Sequence, residues 1–337
     1  MTGAAPRDLH GRPLRALRLS VIEACNFRCP YCMPAGRIAD DHGHDSRHRL
    51  SFDDIERIAR VGARLGVRKL RLTGGEPLLR KHLPELVARL AAVPGIEDLA
   101  LTTNGSLLAA QAAPLRAAGL QRVTVSLDTL DAPQFARLSG GRGVLAPVLA
   151  GIAAAAQAGF APVKLNCVVQ RGVNDDHVLP LAGFAREHGH TMRFIEYMDV
   201  GTCNDWDRTR VVPSAELRAR IDARWPLRPL PAAQPGEVAE RHAFADGGGE
   251  VGFVSSVTAP FCGGCDRGRV SANGTLYTCL FAADGCDLRP ALAAGDEQLA
   301  ACLAAAWALR ADRYSERRLA GAGMPPRKRV EMFLVGG

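Results

Sequence analysis

Cys25, Cys29 and Cys32 stand C-x3-C-x2-C in the run Cys25-Asn26-Phe27-Arg28-Cys29-Pro30-Tyr31-Cys32, directly after an apolar segment at 17–22. Three thiolates this close can hold three corners of an iron–sulfur cube, whose full ligation normally takes four cysteines. The missing fourth ligand leaves one iron open to bind and activate a small molecule. A second set lies far along the chain: Cys262, Cys265 and Cys279, spaced C-x2-C-x13-C, with Cys286 further on. C-x2-C followed by two later cysteines is a metal pattern for which zinc is the general default. With Cys286 as fourth ligand the site is closed and structural; without it, one position is open. Spacing alone does not choose between zinc and an iron–sulfur cluster. Arg267 and Arg269 stand close after Cys265 and suit an anionic substrate near an open metal. Cys167, Cys203 and Cys302 are isolated and are assigned no chemistry.

Such side chains need a frame, and the hydrophobic pattern describes one. Strands are predicted at 17–22, 69–73, 99–103, 122–127, 163–169 and 192–198. A helix opens at Ser51 with a capping-box-like Asp54 and stops at Gly66; further helical patterns lie at 83–92, 109–118, 145–158 and 177–188. Six consecutive βα units predict a parallel sheet with right-handed crossovers. Parallel strands buried on both faces read as continuous apolar runs, but these alternate. Leu17, Leu19 and Val21 oppose Arg18 and Ser20; Leu70 and Leu72 oppose Lys69, Arg71 and Thr73; Val163, Leu165 and Cys167 oppose Lys164 and Asn166. The helices need the apolar face, so the polar face lines the interior. Burying those groups unpartnered would cost several kcal/mol each, roughly 2–7. The expected architecture is therefore an open, incomplete (βα)6 TIM-like barrel around a large polar ligand. Arg18, Arg71 and Lys164 converge from three strands and ask for a polyanion such as a phosphate chain; the competing reading pairs them with Asp128 and Glu196. Sites in such folds sit at the C-terminal ends of the strands. There the chain carries Thr73-Gly74-Gly75-Glu76-Pro77, Thr102-Thr103-Asn104-Gly105 and Ser126-Leu127-Asp128.

The alternation fades after Val200, which divides the chain into a barrel at 1–205 and a C-terminal region at 206–337 carrying the second cysteine set. That region reads as a helix at 214–224, a Pro/Ala/Gly-rich linker at 226–236, short strands at 251–257 and 269–279, and an alanine-rich helix at 297–310. Asn273-Gly274 inside the second strand is a hairpin turn signal. The polar stretch 36–49, with His42, His44 and His48, reads as a solvated loop, and Gly336-Gly337 by composition as a loose end. No apolar run spans a membrane and no signal peptide opens the chain, so a cytoplasmic address is expected. Ten cysteines there argue for metal ligands over disulfides. A net charge of +7 with 5% aromatics fits an anionic small ligand and not nucleic acid.

The first cysteine motif, with Tyr31 before its last cysteine, resembles that of the radical S-adenosylmethionine superfamily. Gly74-Gly75-Glu76-Pro77 resembles the adenosylmethionine-binding turn of those enzymes. Nearly the whole chain is similar to the GTP 3′,8-cyclases of molybdenum cofactor biosynthesis, through Leu72-Thr73-Gly74-Gly75-Glu76-Pro77-Leu78, Val125-Ser126-Leu127-Asp128-Thr129-Leu130, Arg193-Phe194-Ile195-Glu196-Tyr197-Met198-Asp199-Val200-Gly201, Phe261-Cys262-Gly263-Gly264-Cys265-Asp266-Arg267 and the terminal Gly336-Gly337. The resemblance implies two [4Fe–4S] clusters, one on Cys25, Cys29 and Cys32 and one on Cys262, Cys265 and Cys279, with Cys286 a bystander. S-adenosylmethionine would lie at Tyr31, Gly75, Ser126 and Met198, and GTP at Arg18, Arg71, Thr102, Lys164, Arg267, Gly268 and Arg269. A 5′-deoxyadenosyl radical would take the ribose 3′ hydrogen, and the carbon radical would attack guanine C8. The tail, Gly336 and Gly337, would enter the active site. The resemblance also implies an electron donor such as flavodoxin or ferredoxin, a homodimer, and docking with the downstream cyclic pyranopterin monophosphate synthase. Two departures stand out: Glu23-Ala24 before the first cysteine, where such enzymes often have Asp-Arg, and His177 after Asn174-Asp175-Asp176. A radical S-adenosylmethionine enzyme acting on peptides is the alternative, and it leaves Arg267 and Arg269 unexplained.

Overall fold

The computed structural model describes residues 5–34, 48–234, 236–321 and 329–336. The histidines at 42 and 44, and Gly337, lie outside these residues. Six strands alternate with helices as the pattern requires: β1 (Ala16–Ser20), β2 (Lys69–Thr73), β3 (Asp98–Thr103), β4 (Arg122–Ser126), β5 (Lys164–Val169) and β6 (Thr191–Glu196). Between them run α1 (Phe52–Arg64), α2 (Leu83–Ala91), α3 (Leu108–Ala117), α4 (Ala132–Leu138), α5 (Leu145–Gln157) and α6 (Val178–Glu187). The Ser51 hydroxyl accepts from Asp54 N while the Asp54 carboxylate accepts from Ser51 N, so the capping box is complete with Asp in the place usual for Glu. The short α4 was not expected; Asp131 caps it and Pro133 sits in its first turn.

The remaining strands are β7 (Leu227–Leu230), β8 (Glu240–Phe244), β9 (Glu250–Val254), β10 (Arg267–Val270), β11 (Thr275–Tyr277) and β12 (Cys286–Asp287), and the helices α7 (Ser214–Arg224), α8 (Arg289–Ala294), α9 (Asp296–Ala308), α10 (Tyr314–Leu319) and α11 (Met332–Val335). All twelve strands form one sheet in the order β12-β11-β10-β1-β2-β3-β4-β5-β6-β9-β8-β7. β10 pairs parallel to β1 and β9 parallel to β6, so the division expected near residue 205 falls inside a continuous sheet. The sheet does not close: beyond β9 and β10 it turns into antiparallel pairs. The stretch read as a linker at 226–236 contains β7, an outermost strand that pairs only with β8; Pro229, which cannot donate to a ladder, is tolerated there. The expected strand at 269–279 is a hairpin turning at Gly274, whose φ is 88°.

Strand parity holds. Leu17, Leu19, Leu70, Leu72, Leu99, Leu101, Val123, Val125, Leu165 and Cys167 are buried in the layer between sheet and helices. Register then sets the opposite face in rows. Arg18 lies beside Arg269 on one side and Arg71 on the other, and Asn166 lies beside Arg193. Among the described residues no helix is long and apolar enough to cross a membrane.

Candidate active site

The first cysteine loop leaves β1 and runs beside the turn that leaves β2. Val21 N donates to Thr73 O (2.9 Å), Gly75 N to Ile22 O (2.8 Å) and Glu76 N to Ala24 O (2.8 Å). A Cβ on Gly74 would overlap the Ile22 carbonyl, and one on Gly75 the Ala24 carbonyl, so this approach requires both glycines. Glu76 is fully buried and accepts from Leu78 N (2.9 Å), Thr103 Oγ1 (2.7 Å) and Asn104 N (2.7 Å); burial outweighs these bonds and lifts its carboxyl to about 7. Asn104 in turn donates to Asn26 Oδ1 at 2.8 Å. From the other side Arg28 N donates to Ser139 O, with Gly140 pressed on the Arg28 carbonyl. Glu23, one of the two departures, pairs with Arg49 ahead of α1 (Nε–Oε2 3.0 Å) and ties down the start of the loop.

Burial pushes all three thiols up, Cys25 to about 11, and the neighbouring thiolates push Cys29 and Cys32 the same way. Metal binding would exchange those protons for positive charge. Three half-buried, mutually repelling sulfurs on one loop therefore fit a cationic metal cluster. Tyr31 Oη donates to Asp128 Oδ2 (2.9 Å) across the loop; burial raises that carboxyl to about 6, against bonds from Val168 N and Tyr31. Ser126 ends β4 beside Asn166.

The second trio lines a cavity of about 170 Å³, together with Arg18, Arg71, Thr102, Arg193, Arg267, Arg269, Met198 and Met332. Burial would raise the Cys265 thiol, but Arg267 and Arg310 outweigh it and bring it to about 6; Arg267 Nη2 lies 3.3 Å from the sulfur. Burial raises Cys279 to about 11. Cys286 is not among the residues of this cavity: its sulfur lies 3.3 Å from Cys302. The trio thus presents three sulfurs and adjacent guanidinium charge, a donor set that fits a metal group with one position left for a ligand. Among the described residues no group of three or more His, Cys, Asp and Glu side chains is arranged to hold a single metal ion.

A larger cavity of about 890 Å³ opens at the other end of the strands, and Arg18, Arg71, Arg193 and Arg267 line both. Lys164 faces the larger one. Burial, then repulsion from Arg269, Arg71, Arg267 and Arg193, holds Arg18 well below its usual range. Burial likewise lowers Arg71 to about 9, Arg193 and Arg269 to about 10, and Lys164 to about 8. Arg71 donates to Thr102 Oγ1 (3.0 Å) and Thr124 Oγ1 (3.2 Å), and Arg193 to Asn166 Oδ1 (2.9 Å). The acids offered as partners are engaged elsewhere. Asp128 holds Tyr31, while Glu196 accepts from Ser214 N (2.9 Å), Val257 N (2.7 Å) and Thr258 N (2.9 Å). Among the described residues these cations outnumber the acids that face them, an electrostatic setting that suits a polyanion.

Three placements qualify the sequence reading. Gly268 alternates with Arg267 and Arg269, and its side-chain direction meets Leu17 and Leu14 in the apolar layer, so only its backbone borders the lumen. The first cysteine trio, Tyr31, Gly75 and Ser126 do not line the cysteine–arginine cavity, whereas Met198 does. Gly336 is packed: its φ is 66°, and a Cβ there would overlap Thr73 at the end of β2. Arg193 and Arg310 were missed. Arg193 follows the strand parity, but its face of β6 mixes Thr191, Arg193 and Ile195; Arg310 follows α9, where no strand period points to it.

The family pattern described as "Radical SAM superfamily" matches residues 19–185, and that described as "Molybdenum Cofactor Synthesis C" matches residues 190–316. The chain is 64% identical over 337 residues to the GTP 3′,8-cyclase of Xanthomonas campestris pv. campestris (strain 8004), covering 100% of this chain and 99% of that one. With the GTP 3′,8-cyclase of Acidothermus cellulolyticus it shares 56% identity over 319 residues, 93% of this chain and 88% of the relative. A solved structure, native anSMEcpe with bound AdoMet, aligns with 62% of this chain and 60% of its own at a TM-score of 0.48 and 16% identity. At that level of identity to two full-length relatives, the chain belongs to the GTP 3′,8-cyclase family of radical S-adenosylmethionine enzymes.

Proposed function

We propose that this chain converts GTP into 3′,8-cyclo-7,8-dihydroguanosine 5′-triphosphate, the first step of molybdenum cofactor biosynthesis. The observation that carries the reading is the row Arg269, Arg18 and Arg71, without an ion-pair partner among the described residues, facing the same cavity as three cysteines. Cys25, Cys29 and Cys32 would hold one [4Fe–4S] cluster, with S-adenosylmethionine near Tyr31, Gly75, Ser126 and Met198. Cys262, Cys265 and Cys279 would hold the second. When bound, these groups supply one-electron cleavage of the sulfonium and removal of the ribose 3′ hydrogen, with an electron donor such as flavodoxin or ferredoxin behind them. The chain's own part is binding and exclusion. Arg18, Arg71, Lys164, Arg193, Arg267 and Arg269 offset the triphosphate charge, and Thr102 and Thr124 fix the Arg71 fork. A base seated among Cys262, Cys265 and Cys279 leaves the phosphates at the arginine waist between the two cavities. Holding both ends of the nucleotide fixes the ribose between them, and positioning of this kind is where a radical enzyme gains its selectivity.

The test is turnover. Anaerobically reconstituted protein, given GTP, S-adenosylmethionine and a reductant, should release 5′-deoxyadenosine together with a cyclised GTP. Formation of 5′-deoxyadenosine with a peptide substrate alone would reject the cyclase reading, and zinc bound stoichiometrically at the second trio would reject the two-cluster reading.

A further inference from the structure

We propose that Glu331 is a positioning residue: its carboxylate latches the C-terminal tail to the loop that follows β6 and so sets where Gly336 meets the site. Glu331 stands immediately before α11. One of its oxygens accepts from Thr202 N (3.0 Å) and Thr202 Oγ1 (2.8 Å), and the other from the Cys203 thiol (3.0 Å). Beneath the carboxylate lies Gly201, where any Cβ would overlap it, so the loop is shaped to receive an acid at this point. The Cys203 sulfur also lies 3.8 Å from the Cys32 carbonyl, which brings tail, β6 loop and first cysteine loop together at one thiol.

Two neighbouring residues reinforce the same seat. Arg329 Nη1 donates to the Asp199 carbonyl (2.6 Å) and to its carboxylate (2.9 Å), and that carboxylate also takes Tyr314 and Arg318 of α10. Val330 N donates to Ala282 O (2.9 Å), just beyond Cys279. Residues 329–331 are thus pinned to both loops that border the site. From there one turn of helix, closed by Gly336 N to Met332 O (2.8 Å), carries the chain to Thr73, with Met332 in the cysteine–arginine cavity and Val335 fully buried. That turn is too short to hold itself in water; its position depends on the latch at its start.

The inference rests on the reading of the tail as part of the active site, and the experiment separates the two. Four reconstituted proteins are compared: the natural chain, a chain ending at Val335, Glu331→Ala, and the combination. Glu331→Ala should lower kcat for cyclised GTP about tenfold, the rate equivalent of about 1.4 kcal/mol. KM for GTP should stay within about twofold, iron content and the visible spectrum should be unchanged, and S-adenosylmethionine cleavage should continue uncoupled from product. Glu331→Gln, whose amide oxygen still accepts from Thr202, should recover most of the rate. In the shortened chain Glu331→Ala should add nothing, because a latch has no effect once what it positions is gone. Additive losses in the combination, or a natural rate in Glu331→Ala, would overturn the latch. A shortened chain with full activity would overturn the tail reading and the latch with it, and failure of the natural chain to cyclise GTP would overturn the functional reading itself. If Glu331→Ala does not fold, Thr202→Val removes one of the donors and should give the same pattern at about threefold.

Discussion

The charges that bear most on Arg18 are four other arginines, and it stands half-buried among them. Such a cluster costs folding free energy and becomes favourable only around an anion. Arg18→Met should therefore act in opposite directions on two measurements. Without GTP its melting temperature should rise by about 1–2 °C, the effect of relieving on the order of 1 kcal/mol of repulsion in a chain of this length. KM for GTP should rise about tenfold or more, and iron content should not move. Lys164 offers a proton to count. Burial, then Arg193, Arg122 and Arg71, lowers it from 10.5 to about 8. The folded free chain thus sheds this proton before the unfolded chain does, so the group's contribution to stability rises with pH between those limits. A bound triphosphate favours the ammonium form and reverses the shift. GTP affinity should fall as pH climbs through about 8, and titration calorimetry in buffers of different ionisation enthalpy should show proton uptake on binding, both lost in Lys164→Arg. At this scale the sequence was legible wherever strand parity applied, at Arg18, Arg71 and Lys164. It was silent on Arg310, which follows a helix, and blurred on Arg193, whose strand face carries an isoleucine two residues on.

At the scale of elements, the turn after β2 and the loop after β1 are one object. Gly75 gives the loop its carbonyl contacts, and the absence of a side chain is what lets the two backbones meet. Gly75→Ala should displace the Ala24 carbonyl and with it the first cysteine. Reconstituted protein should then lose the iron of the first cluster and keep that of the second, read as about half the iron per chain with intact binding at Cys262, Cys265 and Cys279. The glycine pair was visible in the sequence, but its partner was not, since nothing local says which carbonyls press on it. The same limit explains β7: four residues with a proline read as linker, and only the presence of β8 beside them makes them a strand. The tail is the sharper case. By composition the end of the chain reads as loose, yet residues 329–331 are held by Asp199, Thr202 and Ala282, none of which is near them in sequence.

Taken as a whole molecule, the chain places its last third on both flanks of its first two thirds. β9 covers the outer edge of β6, and β10 covers the outer edge of β1. A protein ending at residue 205 would expose both edges of a six-stranded parallel sheet, along with the leucines of its helix-facing layer near β1. It should appear in the aggregated fraction on expression, and size-exclusion chromatography of any soluble part should show no monomer peak. The alternation of strand and helix made the six-unit core readable, while the flanking strands were hidden because pairing at a distance leaves no periodic mark. The same wrap has a consequence in time. β1 is translated first of all the strands, yet Ala16 finds its partner Arg267 only after most of the chain has been made. At about 5–20 residues per second this is a wait on the order of tens of seconds. Through that interval the nascent chain carries a strand with one edge unpaired beside a loop of three thiols, and a chaperone that shields this edge would be guarding the cluster ligands as well.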